Sequence, residues 1–176
     1  EKRVFLHTDA AQAVGKIPVD VKRMKIDLLS LTAHKIFGPM GIGALYVGKK
    51  PRVRLEPLFN GGGQEGGLRS GTLAPALCVG LGEALRLADD QMASDTTRLE
   101  ALRDQMWQRL DCEVSDLAVN GTMSNRVAVN LNFSVGGVDA ESLMAALPGL
   151  AFSSGSACSS ASEDSSHVLK SIGLTT

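Results

Sequence analysis

Short apolar runs alternate with longer amphipathic stretches along the 176 residues of this chain. Val4-Phe5-Leu6-His7 reads as a buried strand that delivers Thr8-Asp9-Ala10-Ala11-Gln12 at its end, before Gly15 and Pro18 break the chain. Further strands are predicted over 27–31 and 41–47, with a short helix over 19–24 between the first two. A strand–helix–strand order implies a mostly parallel sheet with polar groups gathered at the carboxyl ends of its strands. From 73 to 110 the period turns helical, and Leu99, Leu102, Met106 and Leu110 form one apolar stripe, read as core. Two helices are expected there, broken near Ala93-Ser94-Asp95, with Ser94 or Asp95 capping the second. Strands resume over 114–119, 127–133 and 150–153, with helices over 140–147 and 164–172. The pattern predicts an α/β fold: a large-domain sheet over 1–93 and a smaller α/β domain over 94–176.

Composition narrows the function classes. Hydrophobic residues make up 44% and charged residues 21%, as in an ordinary globular protein, and the net charge of -1 with no basic run offers nucleic acid or an anionic membrane no long-range attraction. No apolar stretch approaches the roughly 18 residues that span a bilayer, and the opening residues lack the apolar region of a signal peptide. A strand that starts almost at once, with no initiator Met, predicts that the chain opens inside a fold; no tail follows the last helix, as though the chain were cut. Cys78, Cys112 and Cys158 are widely spaced and odd in number, which argues against a disulfide framework or a structural zinc site and for a reducing, cytoplasmic setting. Cys78 lies among Leu77, Val79 and Leu81 and is expected to be a small buried hydrophobe; packing is the default for Trp107 and Cys112, and His7 and His167 receive no role.

Chemistry concentrates at Thr32-Ala33-His34-Lys35, where an apolar run ends in a hydroxyl, an imidazole and an amine before Gly38-Pro39. An amine held among apolar neighbours loses hydration and becomes a nucleophile suited to a carbonyl. His34 is either a satisfied core histidine or, with Thr32, a donor to a phosphate. Asp9 is an N-cap or, beside a lysine-bound pyridine cofactor, the carboxylate that keeps the ring nitrogen protonated. Residues 60–72 hold too many glycines for a helix or strand and read as a mobile loop; it is a plain surface loop or one whose amides, Arg69, Ser70 and Thr72 contact an anion. Cys158 sits among small polar residues on a Ser-rich stretch, as an exposed reactive thiol or an incidental one.

Taken together, His7-Thr8-Asp9-Ala10-Ala11-Gln12-Ala13-Val14-Gly15-Lys16, Thr32-Ala33-His34-Lys35-Ile36-Phe37-Gly38-Pro39, Gly61-Gly62-Gly63-Gln64-Glu65 through Arg69-Ser70-Gly71-Thr72, and Ser153-Ser154-Gly155-Ser156-Ala157-Cys158 resemble the cysteine desulfurases of iron-sulfur cluster assembly. These are pyridoxal 5'-phosphate enzymes of the class-V aminotransferase group, fold type I. The resemblance implies that Lys35 holds the cofactor through its amine, that Asp9 pairs with the pyridinium nitrogen and that Gln12 hydrogen-bonds the phenolic oxygen. It implies that Thr32 and His34 bind the phosphate and that Thr72 reaches the phosphate of the partner subunit in a homodimer. Cys158 would take sulfur from L-cysteine, releasing alanine and keeping a persulfide for an acceptor or scaffold protein; it is also a candidate transient cluster ligand, and no other metal site is expected.

The chain departs from that pattern in places. Thr32 stands where the family usually has Ser, and Gly66 where it usually has an arginine. The family's chains are roughly twice as long, as for a two-domain enzyme. The amino-terminal part of the large domain, with its phosphate loop, ring-stacking histidine and asparagine, and the carboxylate-binding arginine downstream have no counterpart here. The reading is thus a segment of a desulfurase that associates with another copy or with further polypeptide. The alternatives are a non-catalytic module that binds a scaffold protein, or a related lyase or aminotransferase.

Overall fold

A computed structural model of the chain describes residues 4–49, 53–154 and 166–174, which form five strands and three α-helices. Two compact units, Glu1–Thr97 and Arg98–Thr176, divide the chain, and the division falls within the longest helix.

In the first unit β2 (Leu28–Thr32) is the middle strand of a three-stranded sheet. β1 (His7–Asp9) runs parallel to it, with Asp9 opposite Ser30. β3 (Gly43–Val47) returns antiparallel, with Thr32 opposite Gly43, because the connection between β2 and β3 contains only a 3-10 turn at Ala33–Ile36 and no crossover helix. β1 begins later than the expected 4–7. Leu6 is held instead by Asp27, whose Oδ2 accepts from Leu6 N at 2.9 Å while Leu6 O accepts from Asp27 N and Leu28 N at 3.0 Å. The helix expected over 19–24 does not form: Asp20 Oδ1 accepts from the amides of Lys22 and Arg23 at 2.9 and 3.0 Å, which holds the segment as a turn that Lys25 (φ 55) closes.

α1 (Pro75–Glu113) is one continuous helix of 39 residues, about 58 Å long. The expected break near Ala93-Ser94-Asp95 is absent, and the hydroxyls there bond back to helix carbonyls and do not cap a second helix: Ser94 Oγ donates to Gln91 O at 2.9 Å and Thr97 Oγ1 to Ala93 O at 3.0 Å. Leu81 and Ala84 of α1 pack on Ala33 and Ile36 to form the core, with Leu31, Ile42, Leu85 and Ala88 around them. The fit is close. A Cβ at Gly15 would lie 2.9 Å from both Ala88 Cβ and Ile36 Cγ2, and one at Gly38 would lie 2.9 Å from Ala84 Cβ. Cys78, expected to be buried, is exposed because it sits at the flank of the packed face, one turn before Leu81; Cys112 is exposed as well.

In the second unit the stripe read as core is only partly inward. Leu102 and Met106 are 52% and 51% exposed, and the buried side of this stretch carries Arg103 and Trp107, four residues apart. Trp107 packs on Phe133 with ring centroids 6.4 Å apart, as its packing role required. β4 (Leu117–Val119) pairs antiparallel with β5 (Phe133–Val135). β5 starts only at the end of the expected strand over 127–133. Asn130 N donates to Val127 O at 3.1 Å in a turn, and the Arg126 guanidinium donates to Thr122 O, Asn130 Oδ1 and Asn120 O, which keeps 120–130 a loop. No strand forms over 150–153, where Leu150 is exposed. α2 (Ala140–Ala146) forms as expected, capped by Asp139, whose Oδ2 accepts from Ser142 N at 2.8 Å. α3 (His167–Ser171) follows; its expected start at Asp164 lies outside the described residues. None of the described helices is long and apolar enough to cross a membrane.

Gly15 has φ +74, so Gly15→Ala meets both backbone strain and two side chains at 2.9 Å. We expect it to lower stability by about 2 kcal/mol, and thermal unfolding checks this; an unchanged Tm would contradict the packing. Hydrogen bonds from Ser142 hold the Asp139 carboxyl below its usual 3.8. Its folded pKa is depressed, so its contribution is present above pH 3.8 and is lost as pH falls through the lower folded value. The helical circular dichroism of the parent should therefore show an acid-dependent loss in that range that Asp139→Ala lacks.

Candidate active site

The parallel register of β1 on β2 decides where the reactive groups emerge. Asp9 ends β1, and the ladder continues one bond further as Ala10 N donates to Ser30 O at 2.8 Å. Thr32 ends β2, and the 3-10 turn that follows carries His34 and Lys35. Two parallel strands have their carboxyl ends at one edge, so Asp9 and Thr32-His34-Lys35 leave the sheet on the same side. Asp9 also plays the capping part expected of it, since Oδ1 accepts from Ala11 N at 2.9 Å.

Local packing orients the turn. Ala33 and Ile36 are buried in the core, which sends His34 and Lys35 outward, and both are exposed. Thr32 Oγ1 lies 2.9 Å from His34 Nδ1 and donates to Ile42 O at 3.3 Å, so these two residues do meet as the sequence suggested. Phe37, at φ 62, closes the turn in the left-handed region. Lys35 is not enclosed by its apolar neighbours: Ala33 and Ile36 turn inward and Lys35 is exposed. Of the two lysines, Lys16 is the half-buried residue. Burial first, and then the positive charge of Lys35, hold the Lys16 ammonium below its ordinary pKa. Lys16 Nζ donates to Gln12 Oε1 at 2.5 Å, so the turn after β1 brings Gln12 and Lys16 together and sets Lys16 within reach of the Lys35 charge.

Sequence reasoning left Lys16 without a role, although its spacing of four from Gln12 on a turn was legible. His7, also left without a partner, has Nε2 2.8 Å from Ser30 Oγ across the β1–β2 pair.

Thr72 is exposed, and no hydrogen bond joins it to Thr32, His34 or Lys35 among the described residues. Its loop is internally tied. Buried Ser70 donates from Oγ to Phe59 O at 3.0 Å, Gly71 N donates to Gln64 Oε1 at 3.1 Å, and the Arg69 guanidinium sits 5.1 Å from the centre of the Phe59 ring. Cys158 lies outside the described residues. Chemically the edge offers the Lys35 amine for a carbonyl, a hydroxyl, an imidazole and the Lys16 ammonium for an anion, and one carboxylate. Among the described residues neither Lys16 nor Lys35 forms an ion pair with a carboxylate.

The chain belongs to the aminotransferase class-V family, whose profile matches residues 1–173. It is 52% identical over 174 residues to the cysteine desulfurase IscS of Histophilus somni strain 2336, covering 99% of this chain and 43% of that protein. Among solved structures, a NifS-like protein from Rickettsia africae ESF-5 matches 98% of this chain and 45% of its own, with a TM-score of 0.83 at 26% identity. SspA in complex with cysteine matches 98% of this chain and 47% of its own, with a TM-score of 0.74 at 37% identity. The chain thus spans less than half the length of these proteins.

Ser70 is the loop's one buried side-chain anchor among the described residues. Ser70→Ala leaves Phe59 O without that donor, and we expect a loss of about 1 kcal/mol together with faster proteolytic nicking between residues 59 and 72, read by limited proteolysis and mass spectrometry.

Proposed function

We propose that this chain carries cofactor-holding and sulfur-accepting residues of a pyridoxal 5'-phosphate-dependent cysteine desulfurase, with 1–93 as the cofactor-binding part and 94–176 as a smaller domain. The observation that carries the reading is the shared strand edge: Asp9 on β1 and Thr32, His34 and Lys35 after β2 emerge together, on a chain 52% identical to a desulfurase. The donor set fits the group. A phosphorylated pyridine aldehyde needs an amine, a carboxylate for its ring nitrogen and cationic or hydroxyl donors for its phosphate, and this edge supplies each.

When bound, pyridoxal phosphate supplies an electron sink for the substrate carbon. Lys35 would hold it through the amine, Asp9 would keep its ring nitrogen protonated, and Gln12 would donate to its phenolic oxygen. Thr32 and His34 would bind the phosphate, with Thr72 serving that of a partner subunit in a homodimer. The Cys158 thiolate would attack the sulfur of L-cysteine: an S–S bond forms as the C–S bond breaks, the electron pair passes to carbon, and alanine leaves after that carbon takes a proton. The persulfide would pass to an acceptor or scaffold protein in a reducing, cytoplasmic setting.

The test is direct. Incubated with pyridoxal phosphate, the chain should gain a visible absorbance that Lys35→Ala lacks. Supplied with L-cysteine, it should form alanine and a persulfide that Cys158→Ala lacks. A chain that stays colourless would overturn the reading for this polypeptide.

A further inference from the structure

We infer that Lys16 is a positioning residue that fixes the side-chain amide of Gln12 so that its N–H groups face the cofactor's phenolic oxygen. The inference rests on the cofactor reading above and adds to it a residue and a direction. It begins with a chemical constraint. An ammonium group has donors and no acceptor, so the Gln12 atom 2.5 Å from Lys16 Nζ must be the carbonyl oxygen Oε1. With Oε1 engaged, the NH2 end of the amide points away from Lys16, and an oxygen on that side receives a donor and not a lone pair.

The placement of Lys16 is itself constrained. The chain turns back after β1 through Ala13 N and Val14 N, which both donate to Ala10 O, and through Lys16 N and Ile17 N, which both donate to Ala13 O. Gly15 sits in that turn against Ala88 of α1 and against Ile36, the residue after Lys35. Lys16 therefore stands beside the turn that carries Lys35, where burial and the Lys35 charge both disfavour its ammonium. A surface lysine serving only as an i,i+4 partner for Gln12 would not be half-buried beside a second amine. Lys16 keeps this costly position while bonding the one residue that the cofactor reading assigns to the ring oxygen.

The test separates positioning from a merely structural role. In the chain without cofactor, the side-chain amide resonances of Gln12 should lie away from those of a free glutamine. They should collapse to the free positions in Lys16→Met and stay displaced in Lys16→Arg, which retains a donor. With pyridoxal phosphate bound, Lys16→Met should shift the visible maximum and Lys16→Arg should restore it; in a Gln12→Leu background Lys16→Met should add no further shift. A Lys16→Met protein whose Gln12 resonances and visible maximum match the parent's overturns the inference, as does an equal shift with and without Gln12. If the parent chain develops no visible band, the cofactor reading fails and takes this inference with it; a band that Lys16→Met leaves unmoved overturns the inference alone.

Discussion

Gly15, Gly38, Ala84 and Ala88 let a turn, a 3-10 segment and a helix approach more closely than any larger side chain would allow, and the first unit depends on that approach. Its buried core mixes small and larger apolar side chains: Ala10, Leu29, Ala33, Ile36, Val53, Leu81 and Ala84 among the described residues. Where Gly15 meets Ala88 and Ile36, and Gly38 meets Ala84 and Ala33, the segments are packed so closely that each added methyl group is felt. The same contacts set the chemistry. With Ala33 and Ile36 held inward against α1, His34 and Lys35 have only the outward directions left.

Strand direction contributes the second constraint. β2 takes β1 in parallel on one side and β3 antiparallel on the other, and only the parallel pair places two carboxyl ends together. Asp9 and Lys35 are 26 positions apart in the chain and share a sheet edge for that reason. A single-residue shift in the pairing of Asp9 with Ser30 would turn the carboxylate to the other face. The two amines differ in setting: Lys35 is exposed, and Lys16, half-buried, is tied to Gln12.

Much of the site was legible before the fold was known. Residue types at strand ends, the Gly-Pro stop after Lys35 and the glycine-rich stretch are local signals, and each falls at a strand terminus or a loop. Less local features were read differently from what forms. Ser94 and Asp95 resemble caps that would divide the long helix, yet a serine can equally return its hydroxyl to a helix carbonyl, as Ser94 does to Gln91. Neighbouring apolarity places the stripe from Leu99 to Leu110 and Cys78 in the interior, but it does not say which side of a helix has something opposite it, and Leu102, Met106 and Cys78 are exposed.

The sequence by itself determined which reactive side chains gather after the strands: an amine, a carboxylate, an amide and a hydroxyl–imidazole pair, at spacings that short-range geometry delivers to strand ends. Only the tertiary structure decided which lysine is partly buried. Burial is a property of what packs across from a residue, and the seating of Gly15 against Ile36 and Ala88, from segments far apart in the chain, half-buries Lys16 and leaves Lys35 in water.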